Sequence, residues 1–124
     1  LTRKVTKTTA KKVVGFALDK KASDVALLDV RKITTVADFF IVCSGASDTQ
    51  VKAIADNVMD AAKDYGLTVH HIEGYESLRW VLIDMSEIVV HVFKPDVRSY
   101  YQLERLWGDA PVERFGEDDE AAAS

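Results

Sequence analysis

Cysteine is nearly missing: Cys43 stands alone in 124 residues. One thiol excludes an internal disulfide framework and any metal site built from several cysteines, and it fits a reducing compartment. Long hydrophobic runs are missing too. None approaches the roughly 20 apolar residues needed to span a bilayer, and no secretory leader is read, so a cytoplasmic protein without a membrane anchor is expected. The middle of the chain lacks the stripe of Lys and Arg that neutralises a nucleic-acid backbone. Its net charge of −4 is instead split between the ends. Arg3, Lys4, Lys7, Lys11 and Lys12 make the start basic, and Glu117, Asp118, Asp119 and Glu120 make the end acidic. A protein partner with little direct RNA contact is the better expectation.

The motifs of common catalysis are also missing. There is no Gly-x-Ser-x-Gly elbow, no Gly-x-Gly-x-x-Gly and no P-loop Lys-Ser/Thr pair. A nucleotidyltransferase needs two carboxylates on one strand, spaced Asp-x-Asp, to hold metal against a triphosphate. No such pair follows the one turn that invites the reading; Asp84 stands alone on its strand and Asp118-Asp119 lies in the tail. His70 and His71 are neighbours on a strand and point to opposite faces, so they do not chelate one ion together. His91 and Cys43 read as ordinary strand residues. No metal, cofactor or catalytic residue is expected.

What is present is a well-patterned globular chain. Residues 7–20 carry Ala10, Val13, Val14, Ala17 and Leu18 at the spacing of one helical face. Val25 to Val30 is a short apolar strand, and Asp38 to Ser44 is a second, apolar on both faces and therefore central. The turn Ser44-Gly45-Ala46-Ser47 then opens a helix, an arrangement that elsewhere cradles phosphate. Ser47 with Gln50 three residues on is a capping box, Val51, Ile54, Ala55, Val58 and Met59 form the buried stripe, and Gly66 ends the helix. Strands follow over 67–73, 79–84 and 87–93, the last two joined tightly at Met85-Ser86. Pro95 and Asp96 open a last helix with Tyr100, Leu103, Leu106 and Trp107 inward, and Gly108 stops it. The expected fold is therefore α/β (α+β), a mixed five-stranded sheet packed with three helices. Residues 1–6 read as a flexible basic N-terminus, 7–111 as a single domain, and 112–124 as an acidic, disordered tail. Three helices do not easily cover both faces of five strands, and apolar surface left exposed marks a partner site.

Several motifs occur in a fixed order: Ala37-Asp38-Phe39-Phe40-Ile41-Val42-Cys43-Ser44-Gly45, Gln50-Val51-Lys52-Ala53-Ile54-Ala55-Asp56, Glu73-Gly74, Trp80-Val81-Leu82-Ile83-Asp84, Val89-Val90-His91-Val92-Phe93, Arg98-Ser99-Tyr100-Tyr101 and Leu103-Glu104-Arg105-Leu106-Trp107. Together, over about residues 7–111, they resemble the ribosomal silencing factor, or Iojap-related, family. The resemblance implies a nucleotidyltransferase-like fold without catalytic carboxylates. It further implies a translational repressor that binds the large ribosomal subunit at its fourteenth protein and blocks joining of the small subunit. Links to large-subunit maturation and, in some members, a homodimer are implied as well. Docking of this kind needs an apolar or aromatic centre with charged residues around it. Tyr75, Trp80 and Leu82 are the candidate anchors, with Glu73, Arg79, Asp84 and Lys94 as the polar rim and Arg105 on the last helix as a further contact. Trp80 reads equally as core. This chain departs from the family where members often carry glycine: Leu78 stands near one such position before the Trp, and Met85-Ser86 replaces a Tyr-Gly turn. The readings from other classes are a nucleotide-binding enzyme using the Ser44–Ser47 turn and a dimeric adaptor using an open sheet face.

Overall fold

The structure is a computed structural model and describes residues 6–97, 108 and 110–115. The elements in chain order are α1 (Lys7–Leu18), β1 (Ser23–Asp29), β2 (Phe39–Ser44), α2 (Asp48–Tyr65), β3 (His71–Glu73), β4 (Trp80–Asp84), β5 (Ile88–Phe93) and β6 (Val112–Phe115). Pro95–Val97 are helical as well. Tyr100, Leu103, Leu106, Trp107 and Arg105 lie outside the described residues, as do 1–5 with Arg3 and Lys4 and 116–124 with the acidic end.

The mixed α+β architecture is the one expected, with one strand more. The sheet runs β3-β4-β5-β2-β1-β6, and only β2 and β5 are parallel. Parallel neighbours need a crossover, which α2, β3 and β4 supply. β2 lies inside the sheet, and all six of its residues are buried, as a strand apolar on both faces must be. The sixth strand corrects the expected end of the domain. Val112–Phe115, expected in an acidic, disordered tail over 112–124, pairs antiparallel with β1, Val25 opposite Phe115 and Leu28 opposite Val112. Phe115 packs on the core, and Glu113 meets Lys7 and Lys11 of α1 at 3.2 and 3.3 Å. Four residues with two charges carry no readable alternation; the neighbouring strand edge makes them a strand.

Boundaries move for local reasons. The first helix ends at Leu18 rather than residue 20, because Lys20 and Lys21 donate to Ala17 and Leu18 carbonyls and Lys21 is left-handed, with φ 62°. The strand expected over 67–73 shrinks to His71–Glu73, an edge strand exposed at every residue. α2 matches its sequence signals most closely. Ser47 Oγ accepts from the Gln50 N–H, and Gly66, at φ 100°, closes the helix with its N–H directed at Ala62 and Lys63 carbonyls. Gln50 completes the cap in a different way from a simple capping box. Its Oε1 accepts from Ala46 N–H at 2.7 Å, while its Nε2 donates to the Lys21 and Lys20 carbonyls at 2.9 and 3.3 Å. One side chain thus ties α2 to the end of α1.

The strand alternation divides the core in two. On one side Val25, Leu27, Phe39, Ile41, Cys43, Val81, Ile83, Val90 and Val92 meet α1 and α2. Removing each fully buried Val or Ile from water contributes about 2 kcal/mol. On the other side Ala26, Leu28, Phe40, Val42, Val89 and Phe93 cluster with Val97 and Ala110, and Trp80 and Leu82 pack at the margin. Among the described residues no helix is long and apolar enough to cross a membrane.

Candidate protein-docking face

The Ser44–Ser47 turn closes on itself. Gly45 N–H donates to the Phe93 carbonyl at 2.8 Å, Ala46 N–H to Gln50, Gln50 N–H to Ser47 Oγ at 3.1 Å and Val51 N–H to the Ser47 carbonyl at 2.9 Å. A β-carbon on Gly45 would lie 2.9 Å from Val51 Cγ2 and 3.2 Å from Ile54 Cδ1. The glycine is there so that β2 can enter α2 tightly, and the Gly45, Ala46 and Gln50 N–H groups are engaged within the protein.

The anchors read from the sequence fall on two faces. Tyr75, in the loop after β3, packs on the helix-side core. Its hydroxyl donates to Asp56 Oδ1 of α2 at 2.6 Å, and this hydrogen bond pushes the phenol's pKa up. Lys52 completes the group, 3.6 Å from Asp56 and 6.0 Å from the centre of the Tyr75 ring. Trp80 and Leu82 project from β4 to the opposite side, where alternation puts them with Asp84. Tyr75 and Trp80 therefore do not form one patch. The rim residues divide likewise. Leu82 stands opposite Glu73 and Asp84 opposite His71 in the β3–β4 ladder, so all four side chains share Trp80's face. His71 Nε2 lies 2.8 Å from Glu73 Oε2, and Asp84 Oδ1 accepts from the Ser86 N–H at 2.8 Å. Arg79 is exposed at the start of β4, its carbonyl accepting from Lys94 N–H at 3.1 Å. The Lys94 ammonium is drawn toward α2, where it pairs with Asp48. Arg105 lies outside the described residues.

The face that results has Leu82 at its centre, Trp80 beside it and Glu73, His71 and Asp84 around it. Trp80 is half-buried rather than wholly core or wholly exposed. Its ring lies 4.9 Å from that of Phe93, and its Nε1–H donates to His91 Nδ1 at 3.1 Å. His91 is buried, and burial pulls its pKa from 6.5 down to about 4. The sequence reading passed over His91 as an ordinary strand residue. The β4–β5 hairpin register, which sets Trp80 opposite Phe93 and Leu82 opposite His91, was the signal that could have found it. Gly74 is essential to this edge. It sits at φ 78°, and a β-carbon there would fall 2.0 Å from the Trp80 carbonyl oxygen.

The two departures from the family pattern share a physical character. Leu78 and Ser86 both have left-handed backbones, φ 59° and 73°, a conformation that glycine adopts without strain. Ser86 is the first central residue of the β4–β5 turn, in which Met85 N–H donates to the Ile88 carbonyl at 2.9 Å. Type II′ hairpin turns give that position to glycine. The turns keep their shape here at some local cost.

Comparison with known proteins agrees with these features. The family described as "Ribosomal silencing factor during starvation" matches residues 3–124. A ribosomal silencing factor of Bacillus subtilis is 52% identical over 94 residues, covering 76% of this chain and 80% of its own. The chloroplastic protein Iojap of Zea mays is 33% identical over 98 residues, which span 78% of this chain and 42% of that longer one. A crystal structure of a Chromobacterium violaceum protein superposes with a TM-score of 0.82 at 39% identity, covering 85% of this chain and 88% of its own. Another, from Bacillus halodurans, gives a TM-score of 0.78 at 41% identity, with 89% and 100% covered. With its strand–turn–helix, its Trp80 strand and its His91 strand all in place, the chain belongs to the ribosomal silencing factor family.

Proposed function

We propose that this protein represses translation in the cytoplasm by docking the Trp80–Leu82 face on the large ribosomal subunit. The fourteenth protein of that subunit is the partner, on the surface that would meet the small subunit, so that occupancy excludes joining by bulk alone. A part in large-subunit maturation and a homodimer in the free state fit the same reading. No catalytic step is needed. The observation that carries the proposal is an apolar centre, Leu82 and half-buried Trp80, ringed by the carboxylates of Glu73 and Asp84. Such a ring steers a basic protein surface inward and repels RNA phosphates. The engagement of the Gly45 and Ala46 N–H groups within the protein favours this reading over the nucleotide-binding alternative, and the Tyr75–Asp56 hydrogen bond favours a structural role for Tyr75 in it.

The test is co-sedimentation with purified large and small subunits, followed by a subunit-joining assay. The protein should pellet with large subunits and reduce joining. Trp80→Ala should weaken binding by about 2 kcal/mol, roughly thirtyfold. Leu82→Glu, on a surface-facing position, should do the same without loss of fold. If the protein pellets with neither subunit, or if a folded Leu82→Glu variant binds as well as the wild type, the proposal is wrong.

A further inference from the structure

We infer that His91 is the positioning residue of Trp80, fixing the indole in the orientation that the docking face presents; the inference rests on the docking role proposed above. An indole N–H only donates, so at 3.1 Å His91 Nδ1 must accept. The imidazole is therefore the neutral tautomer with its proton on Nε2. That acceptor is itself held still. Phe40 meets the imidazole edge-on at 5.5 Å with the planes 82° apart, and Phe93 lies nearly parallel to it, 12° off with centroids 6.1 Å apart. Both phenylalanines are buried, and His91 is 8% exposed. Burial also keeps the imidazole uncharged at neutral pH, which preserves the lone pair on Nδ1.

Trp80 is the more exposed member of the pair. It packs at the margin of the buried cluster and is half-buried, and its indole plane is tilted 42° from the imidazole. With the acceptor lost, the ring either buries an unpaired donor or rotates outward until its N–H reaches water. In the second case the surface beside Leu82 changes shape. His91 thus acts on docking through Trp80 and without touching the partner.

Two variants separate the ring from the acceptor. His91→Phe keeps a planar ring between Phe40 and Phe93 but offers no lone pair. His91→Asn loses the ring and keeps an oxygen that can occupy the place of Nδ1. In nitrogen-15 spectra the Trp80 indole resonance is the one that disappears in Trp80→Phe. His91→Phe should shift that resonance to the non-hydrogen-bonded range, speed its exchange with solvent and weaken large-subunit binding about tenfold. His91→Asn should restore the resonance and most of the affinity. In the wild type the ring nitrogens of His91 should report the Nε2–H tautomer. The opposite tautomer overturns the inference, as does a folded His91→Phe variant with an unmoved indole resonance or unchanged binding. Equal loss of binding in both variants with the indole resonance intact also overturns it. If His91→Phe does not fold, the tautomer and His91→Asn decide: Nε2–H with binding kept supports the inference, and any other combination overturns it. A wild type that fails to bind large subunits defeats the docking role itself. Wild-type binding that His91→Phe leaves untouched defeats only the positioning.

Discussion

Lowering the pH should destabilise this protein in a window that belongs to one residue. His91 is neutral in the native state because burial depresses its pKa from 6.5 to about 4. The unfolded chain returns the imidazole to water and binds a proton readily below 6.5. Between these values the unfolded state holds more protons than the native state, so stability rises with pH and is lost as pH falls. The loss begins near the ordinary histidine pKa and levels off below the folded one. Linkage puts it at about 2 kcal/mol between pH 8 and pH 5, and about 3 kcal/mol by pH 4. Against total stabilities of about 5–15 kcal/mol, that is a large fraction. The other two histidines, His70 and His71, are exposed. The carboxyls of Asp29 and Glu113 are held below their ordinary values by hydrogen bonds to Arg31 and Lys7. Depressed carboxylates lose their contribution as pH falls through the carboxylate range, so they act at the acid end of the histidine window. Urea unfolding followed by tryptophan fluorescence and circular dichroism at about pH 8, 6.5 and 5 measures the effect. His91→Phe, less stable at neutral pH, should show almost no slope over the same interval. A flat wild-type profile, or a variant with the wild-type slope, would refute the reasoning.

Three further outcomes can be checked on the same apparatus. Gly45→Ala should cost about 1–3 kcal/mol, because Val51 and Ile54 must shift to admit the new methyl; a neutral effect in urea melts would mean the β2–α2 turn is looser than its contacts indicate. Ser86→Gly should raise stability by about 0.5–1 kcal/mol by relieving the left-handed backbone, after allowing for the added flexibility of the unfolded chain; a lower melting midpoint would refute this. Tyr75→Phe removes the hydroxyl that meets Asp56 and should cost about 1 kcal/mol of stability. Large-subunit binding in the same variant should be unchanged, and a clear loss there would move the docking face to the α2 side.

The sequence spoke most clearly where one local signal acted without a competitor. α2 has its serine cap, its apolar stripe and its closing glycine, and each does in the structure what its chemistry suggests. β2 reads as central because Phe39 to Cys43 leave no polar face, and burial on both sides follows. β6 was illegible because Val112–Phe115 contain no pattern of their own; pairing with β1 and the reach of Glu113 to two lysines decide their state. The candidate site was half legible. Alternation placed Trp80, Leu82 and Asp84 together, and the hairpin brought His91 beneath Trp80. Tyr75 joins Trp80 in the sequence reading as a second aromatic, placed in a loop where exposure is expected. No periodicity reveals that a loop residue turns back to an aspartate on a helix nineteen positions earlier.

The two sheet faces then divide the work of the chain. On the helix side polar groups find partners inside the molecule: Gln50 with Ala46 and Lys21, Asn57 with the Phe16 carbonyl at 2.8 Å, Tyr75 with Asp56. On the Trp80 side Trp80 and Leu82 reach the sheet margin beside the carboxylates of Glu73 and Asp84, the arrangement on which the docking proposal rests. The strand–turn–helix at Ser44–Ser47 has a structural role of its own that needs no phosphate. Its Gly45 N–H ties β2 to β5 and its Ala46 N–H meets Gln50 of α2, while the docking proposed above lies on the opposite face.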